Sequence, residues 1–215
     1  MKSLLLALLA LLAVVSIHHS RAEETKTVVC FGDSITKRGY PAILAENLGV
    51  RAINAGVAGH SSAQGLRRIE KDVLAHHPDV VVIFFGTNDA RVDAPRVHAT
   101  PRTYQANLNH MVAKIRATGA AIVICTLPPV NESTYFTRHD RADYQAAGGL
   151  ANLWNAYRQA ALDTAKTHQL PVVDLNRELL ETPEWMHKDG IHPSPAGNAI
   201  IANLVAKKVA PLIER

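Results

Sequence analysis

Five apolar runs alternate along this chain with stretches patterned for helices, and that alternation calls for a parallel sheet covered by helices. The runs are Thr27 to Phe31 (TVVCF), Val50 to Asn54, Asp79 to Phe85 (DVVVIFF), Ala120 to Thr126 (AAIVICT) and Val172 to Leu175. The third is the most apolar and belongs in the middle of the sheet, covered on both faces. Between the runs, Tyr40 to Asn47 carries Ile43, Leu44 and Leu48 at helical spacing, with Gly49 as a stop. Ser61 or Ser62 can cap a helix holding Leu66, Ile69, Val73 and Leu74, ended by Pro78. Thr103 to Ala117 and Leu150 to His168 predict two further helices, and Ser194-Pro195 opens a last one with a cap followed by proline. Joined by right-handed crossovers, these elements predict a flavodoxin-like three-layer α/β/α fold. Its five-stranded parallel sheet has the order 2-1-3-4-5, with ligands outside the carboxyl ends of the strands.

The first residues are read separately. Lys2 precedes an unbroken apolar run from Leu4 to Val15, and Ser20-Arg21-Ala22 places small residues where a signal peptidase cleaves. The run falls short of the ~20 residues of a membrane span; a retained N-terminal anchor is the alternative. The expectation is a signal peptide at 1–22 and one domain at 23–215, exported after cleavage near Ala22-Glu23 and free of stable membrane insertion. Removal of Lys2 and Arg21 lowers the formal charge from +4 to +2. The remaining cations are scattered, which disfavours a nucleic-acid partner. Cys30 and Cys125 fall within strands that have another strand between them, so two free thiols are expected.

Four segments, each following a strand, carry the chemistry. Asp33-Ser34 follows the first; Ser34 is offered on a rigid support, although Asp33 or Ser34 could simply cap a helix. Asn54-Ala55-Gly56-Val57-Ala58-Gly59 follows the second, and its glycines allow backbone N–H groups to approach a ligand, or only make a turn. Gly86-Thr87-Asn88-Asp89 follows the third; Asn88 can donate into the same crevice while Asp89 organises the loop, and an Asx turn is the simpler alternative. Asp189-Gly190-Ile191-His192-Pro193 completes the set. A nucleophilic serine needs a base, and the base needs an orienting carboxylate; three residues separate Asp189 from His192, and Gly190 permits the bend.

These blocks, in this order and spanning Phe31 to Pro193, resemble the four sequence blocks of the SGNH hydrolases, or GDSL esterases. The resemblance implies Ser34 as nucleophile, His192 as general base and Asp189 as its orienter. It also implies an oxyanion hole made by the backbone N–H groups of Ser34 and Gly59 and the side-chain amide of Asn88, with Asp33 and Asp89 in support. Neither metal nor cofactor is required, and His60, His76, His77, His98 and His187 lack zinc-motif spacing.

The implied reaction is hydrolysis of a small-molecule or glycan acyl ester through an acyl-enzyme, with short acyl groups, acetyl above all, favoured because no extra lid for long lipid chains is evident. Lysophospholipase or thioesterase activity, glycan O-acyl transfer and a silent glycan-binding module are the alternatives. Gly59-His60-Ser61-Ser62-Ala63 is a near miss to the G-x-S-x-G elbow, but Ser61 reads better as a helix cap. Leu127 to Gly149 is expected to border the crevice. Its Tyr135, Phe136, Tyr144, Arg138, His139 and Arg141 could form an acyl pocket beside an anion-reading patch, with a solvated loop as the favoured reading. Trp185 and Met186 could line an acyl pocket, with packing as the favoured reading.

Overall fold

A computed structural model describes residues 25–214; the expected signal peptide lies outside them. Its strands are β1 (Thr27–Gly32), β2 (Arg51–Gly56), β3 (Val80–Phe84), β4 (Ala121–Cys125) and β5 (Val172–Val173). They pair in parallel in the order β2-β1-β3-β4-β5. Between and after them run α1 (Ser34–Lys37), α2 (Tyr40–Leu48), α3 (Ser62–Asp72), α4 (Pro101–Arg116), α5 (Glu132–Tyr135), α6 (Arg141–Ala146), α7 (Leu150–Thr167), α8 (Leu175–Glu178) and α9 (Pro195–Ile213). The expected sheet and order are therefore present.

Strand periodicity divides the core in two. Val29, Phe31, Val81, Ile83, Ile122 and Ile124 face one side, where Ile69 of α3, Leu108 and Met111 of α4 and Tyr157 of α7 cover them. Val28, Cys30, Val80, Val82, Val123 and Cys125 face the other, beneath Leu44 of α2 and Ile201 and Val205 of α9. All of β1 and β3 is buried, and each Val, Ile and Phe side chain among them contributes about 1.5–3 kcal/mol of transfer free energy. Helix α9 is apolar and long enough to cross a membrane by composition, yet its Ile201, Val205 and Val209 are buried in this core. Both cysteines are free and buried, with β3 between their strands. Burial pushes the Cys30 thiol up to about 12.

Three local expectations change. The fifth strand stops before Leu175, because Asp174 is drawn into a pair with Arg158 and accepts from Thr126 Oγ1 at 3.0 Å. Helix α3 ends at Asp72, and a 3-10 turn at Leu74–His76 leads to His77 in the left-handed region (φ 49°). Leu127 to Gly149 is not a solvated loop: it contains α5 and α6 and buries Tyr135 and Tyr144. The reason is a partly buried polar cluster. Asp93 accepts from Tyr144 Oη at 2.9 Å and pairs with His139 Nδ1 at 2.8 Å, and His139 stacks on Tyr135 with ring centroids 4.0 Å apart.

Candidate active site

Strand β1 ends at Gly32, where a Cβ would collide with the Phe84 carbonyl and the Thr36 side chain. Asp33 then caps α1, its Oδ1 accepting from Ile35 N at 2.9 Å. Ser34 is thus the first residue of a helix, so capping by Asp33 and exposure of Ser34 coexist rather than compete. Position and cap together present the Ser34 hydroxyl at the carboxyl end of a buried strand.

His192 reaches it from the other end of the chain: Ser34 Oγ and His192 Nε2 are 2.8 Å apart. On the far side of the ring, His192 Nδ1 lies 2.8 Å from Asp189 Oδ2. Asp189 Oδ1 accepts the backbone N–H of His192 at 2.9 Å and of Ile191 at 3.2 Å, which folds the carboxylate back onto the imidazole. Gly190 makes the bend at φ +82°, where an L side chain is strained and a Cβ would press on Thr134. The loop is closed at its base by His187 N to His192 O and Ser194 N to Trp185 O, both 2.8 Å. Trp185 is buried as packing, as expected.

Charge follows from these contacts. Burial raises the Asp189 carboxyl, but the hydrogen bonds from His192 and Ile191 outweigh it and hold the group well below the usual carboxylate range. Burial lowers His192 below the ordinary histidine value, and the Arg38 and Arg138 guanidiniums add to that against the pull of Asp189. The imidazole is neutral at neutral pH, the state in which it can accept a proton.

Gly59 (φ +77°) and Asn88 line the same cleft as Ser34 and His192. Among the described residues the Ser34 and Gly59 backbone N–H groups have no acceptor. Asn88 Nδ2 donates to Asp33 Oδ2 at 3.2 Å and to His60 O at 3.1 Å. Asp33 also accepts from Thr87 Oγ1; burial pushes its carboxyl up to about 6. Asp89 accepts from Ser62 Oγ and, at 2.9 Å, from Ser62 N, so it pins the start of α3. Ser61 is 2 % exposed, caps α3, and sits outside the cleft lining.

Arg68 and Arg38 have no counterpart in the sequence reading, whereas Arg138 belongs to the possible anion-reading patch that it set beside the crevice. Arg68 donates to Gly32 O and Ala55 O, both at 2.8 Å, and ties the ends of β1 and β2 together beneath the cleft. Arg38 and Arg138 approach the Asp189 loop from α1 and from the segment after α5. No spacing signals either, since the contacts join residues far apart in the chain. The resulting cleft measures about 560 Å³, and Tyr135, Arg138 and His139 supply one wall.

Similarity to known proteins agrees with this geometry. The chain is 30% identical over 227 residues to esterase TesA of Pseudomonas aeruginosa, covering 99% of this chain and all (100%) of that protein. It is 26% identical over 172 residues to an acetylxylan esterase of Geobacillus stearothermophilus, covering 75% of this chain and 73% of that one. The crystal structure of a lipase/acylhydrolase from Enterococcus faecalis superimposes with a TM-score of 0.74 at 26% identity, covering 87% of this chain and 96% of the other. The family model for the GDSL-like lipase/acylhydrolase family matches residues 30–200, and the chain belongs to that family.

Proposed function

We propose that this protein is an exported serine esterase that cleaves short acyl esters, acetyl esters first among them, with Ser34, His192 and Asp189 as its triad. The supporting observation is the unbroken relay from Ser34 Oγ through His192 to Asp189, with 2.8 Å at both junctions. His192 Nε2 takes the Ser34 proton as Oγ attacks the ester carbonyl carbon, and Asp189 stabilises the imidazolium that forms. The carbonyl oxygen becomes an oxyanion held by the N–H groups of Ser34 and Gly59 and by Asn88 Nδ2. An oxyanion is a stronger acceptor than a peptide carbonyl, so it takes over the hydrogen that Asn88 now gives to His60 O. His192 returns the proton to the departing alcohol. Water, deprotonated by His192, then attacks the acyl-enzyme; the carboxylic acid leaves and Ser34 regains its proton.

The cleft favours a short acyl group. Ile35, Ala58, Tyr135 and Ile191 are its apolar residues, and they share the lining with Lys37, Arg38, Arg91, Arg138 and the amide of Asn88. Similarity to an acetylxylan esterase makes acetylated glycans a natural substrate class to test. Turnover of p-nitrophenyl esters from acetyl to dodecanoyl is expected to peak at the short end. Activity that rises steadily to dodecanoyl contradicts the short-acyl reading in favour of a thioesterase or lysophospholipase. For export, the secreted protein is expected to begin near Glu23; an intact Met1 or Lys2 contradicts cleavage of a leader.

A further inference from the structure

Among the described residues, four cations line the cleft, Lys37, Arg38, Arg91 and Arg138, and no carboxylate does. They are not equivalent. Arg91 is satisfied by Asp93, with Nε at 3.3 Å and Nη2 at 3.0 Å from its two oxygens. Arg38 and Arg138 converge instead on the Asp189–His192 loop. Arg38 Nη2 stands 3.6 Å from Asp189 Oδ2, longer than a hydrogen bond, and its side chain remains 41% exposed. Arg138 spends Nη2 on a carbonyl oxygen, that of Asp189, and remains exposed. Asp189, the carboxylate that both approach, already accepts three hydrogen bonds from His192 and Ile191. Positive charge therefore exceeds negative charge beside the imidazole. Both guanidiniums act on His192 itself, lowering its proton affinity.

The side of the cleft matters. His192 delivers a proton to the departing alcohol, so the alcohol half of an ester lies on the His192 side. We propose that Arg38 and Arg138 recognise an anionic group on the alcohol half of the substrate, so that esters of alcohols bearing a carboxylate or a phosphate are preferred over neutral ones. The inference rests on the esterase reading of Ser34 and names the substrate class for it. A clamp on the Asp189 loop is the competing role for the same two arginines, and it makes no distinction between charged and neutral esters.

The test compares 4-acetoxybenzoate and 4-acetoxyphenyl phosphate with methyl 4-acetoxybenzoate, each enzymatic rate divided by that ester's own hydroxide-catalysed rate. The wild-type protein is expected to favour both anionic esters, mainly through KM, and the preference should shrink as salt is raised from 20 to 500 mM, which shortens the screening length about fivefold. Arg38→Gln and Arg138→Gln should each reduce the ratio of anionic to neutral turnover by about fivefold, the upper range for an exposed ion pair, while Arg138→Lys restores most of it. A preference for the phosphate alone identifies phosphate as the group read; a preference for both identifies charge. Equal turnover of neutral and anionic esters by wild type overturns the proposal and leaves the esterase reading standing. Equal losses on both esters in the arginine variants show a loop clamp and overturn it too. Failure to turn over any ester contradicts the esterase reading and this proposal together.

Discussion

Asn88 and Asp33 are joined side chain to side chain, with Nδ2 3.2 Å from Oδ2, so the residue before the candidate nucleophile orients a candidate oxyanion donor. Two loops that follow different strands, β1 and β3, are thereby set to one geometry, and Thr87 reinforces the link through the same Asp33 oxygen. Asn88→Ala is expected to lower kcat by about 10²–10³-fold with little change in KM, the usual loss for one oxyanion donor. Asp33→Ala should lower kcat as well, without touching the substrate. Steady-state kinetics check both; an Asn88→Ala variant that loses only KM contradicts the role given to the amide.

The buried carboxyls should leave a mark on stability. Burial pushes Asp33 and Asp89 up to about 6, so each binds protons more tightly folded than unfolded. Folding then takes up protons between the unfolded value of 3.8 and about 6, and this contribution raises stability as pH falls through that window. Asp189 and Asp174, held low, act in the opposite sense: their contribution is full above 3.8 and is lost only as pH falls towards their folded values. Thermal melts of wild type and Asp33→Asn are expected to shift in favour of wild type by about 1 kcal/mol between pH 7 and pH 5. A difference independent of pH contradicts a raised Asp33.

For catalysis, kcat/KM is expected to rise with pH and level off, with a midpoint below the ordinary histidine value of 6.5, because burial and two guanidiniums disfavour the His192 imidazolium. The limb should persist in Asp33→Asn, which separates it from the carboxyl titrating nearby. Arg38→Gln removes one of those cations and should move the midpoint upward. A midpoint above 7 in the wild type contradicts this electrostatic reading.

Gly197 tests how the Asp189–His192 loop is seated. It lies in the first turn of α9, and a Cβ there would overlap the Trp185 carbonyl oxygen. Alanine is normally the better helix residue by up to about 1 kcal/mol. Here Gly197→Ala is expected to destabilise by about 1–3 kcal/mol and to lower kcat, since Ser194 N donates to the same carbonyl at the base of the Asp189 loop. A more stable, fully active variant contradicts the packing described.

Strands β1 and β3 were legible because continuous apolar runs flanked by turn residues have few other fates. The candidate Ser34–His192–Asp189 relay was legible because Ser34 directly follows β1 and the other two partners lie within one compact Asp189–His192 motif. Leu175 was misleading: it is apolar and follows Val172 and Val173, but the fate of that strand depends on Asp174 finding Arg158, a contact no local pattern announces. The same holds for Tyr135 and Tyr144, whose surroundings look polar in sequence and whose burial depends on Asp93, 51 positions from Tyr144. Arg68, bonded to a carbonyl 36 positions away, had no signature either.

The most direct measurement is acetyl-ester turnover by residues 23–215 and by their Ser34→Ala variant, with circular dichroism to show that both are folded. Removal of the serine from a working triad costs on the order of 10⁶-fold in kcat, so turnover in the folded variant is expected to fall to background. Retention of substantial activity by folded Ser34→Ala would contradict Ser34 as the nucleophile.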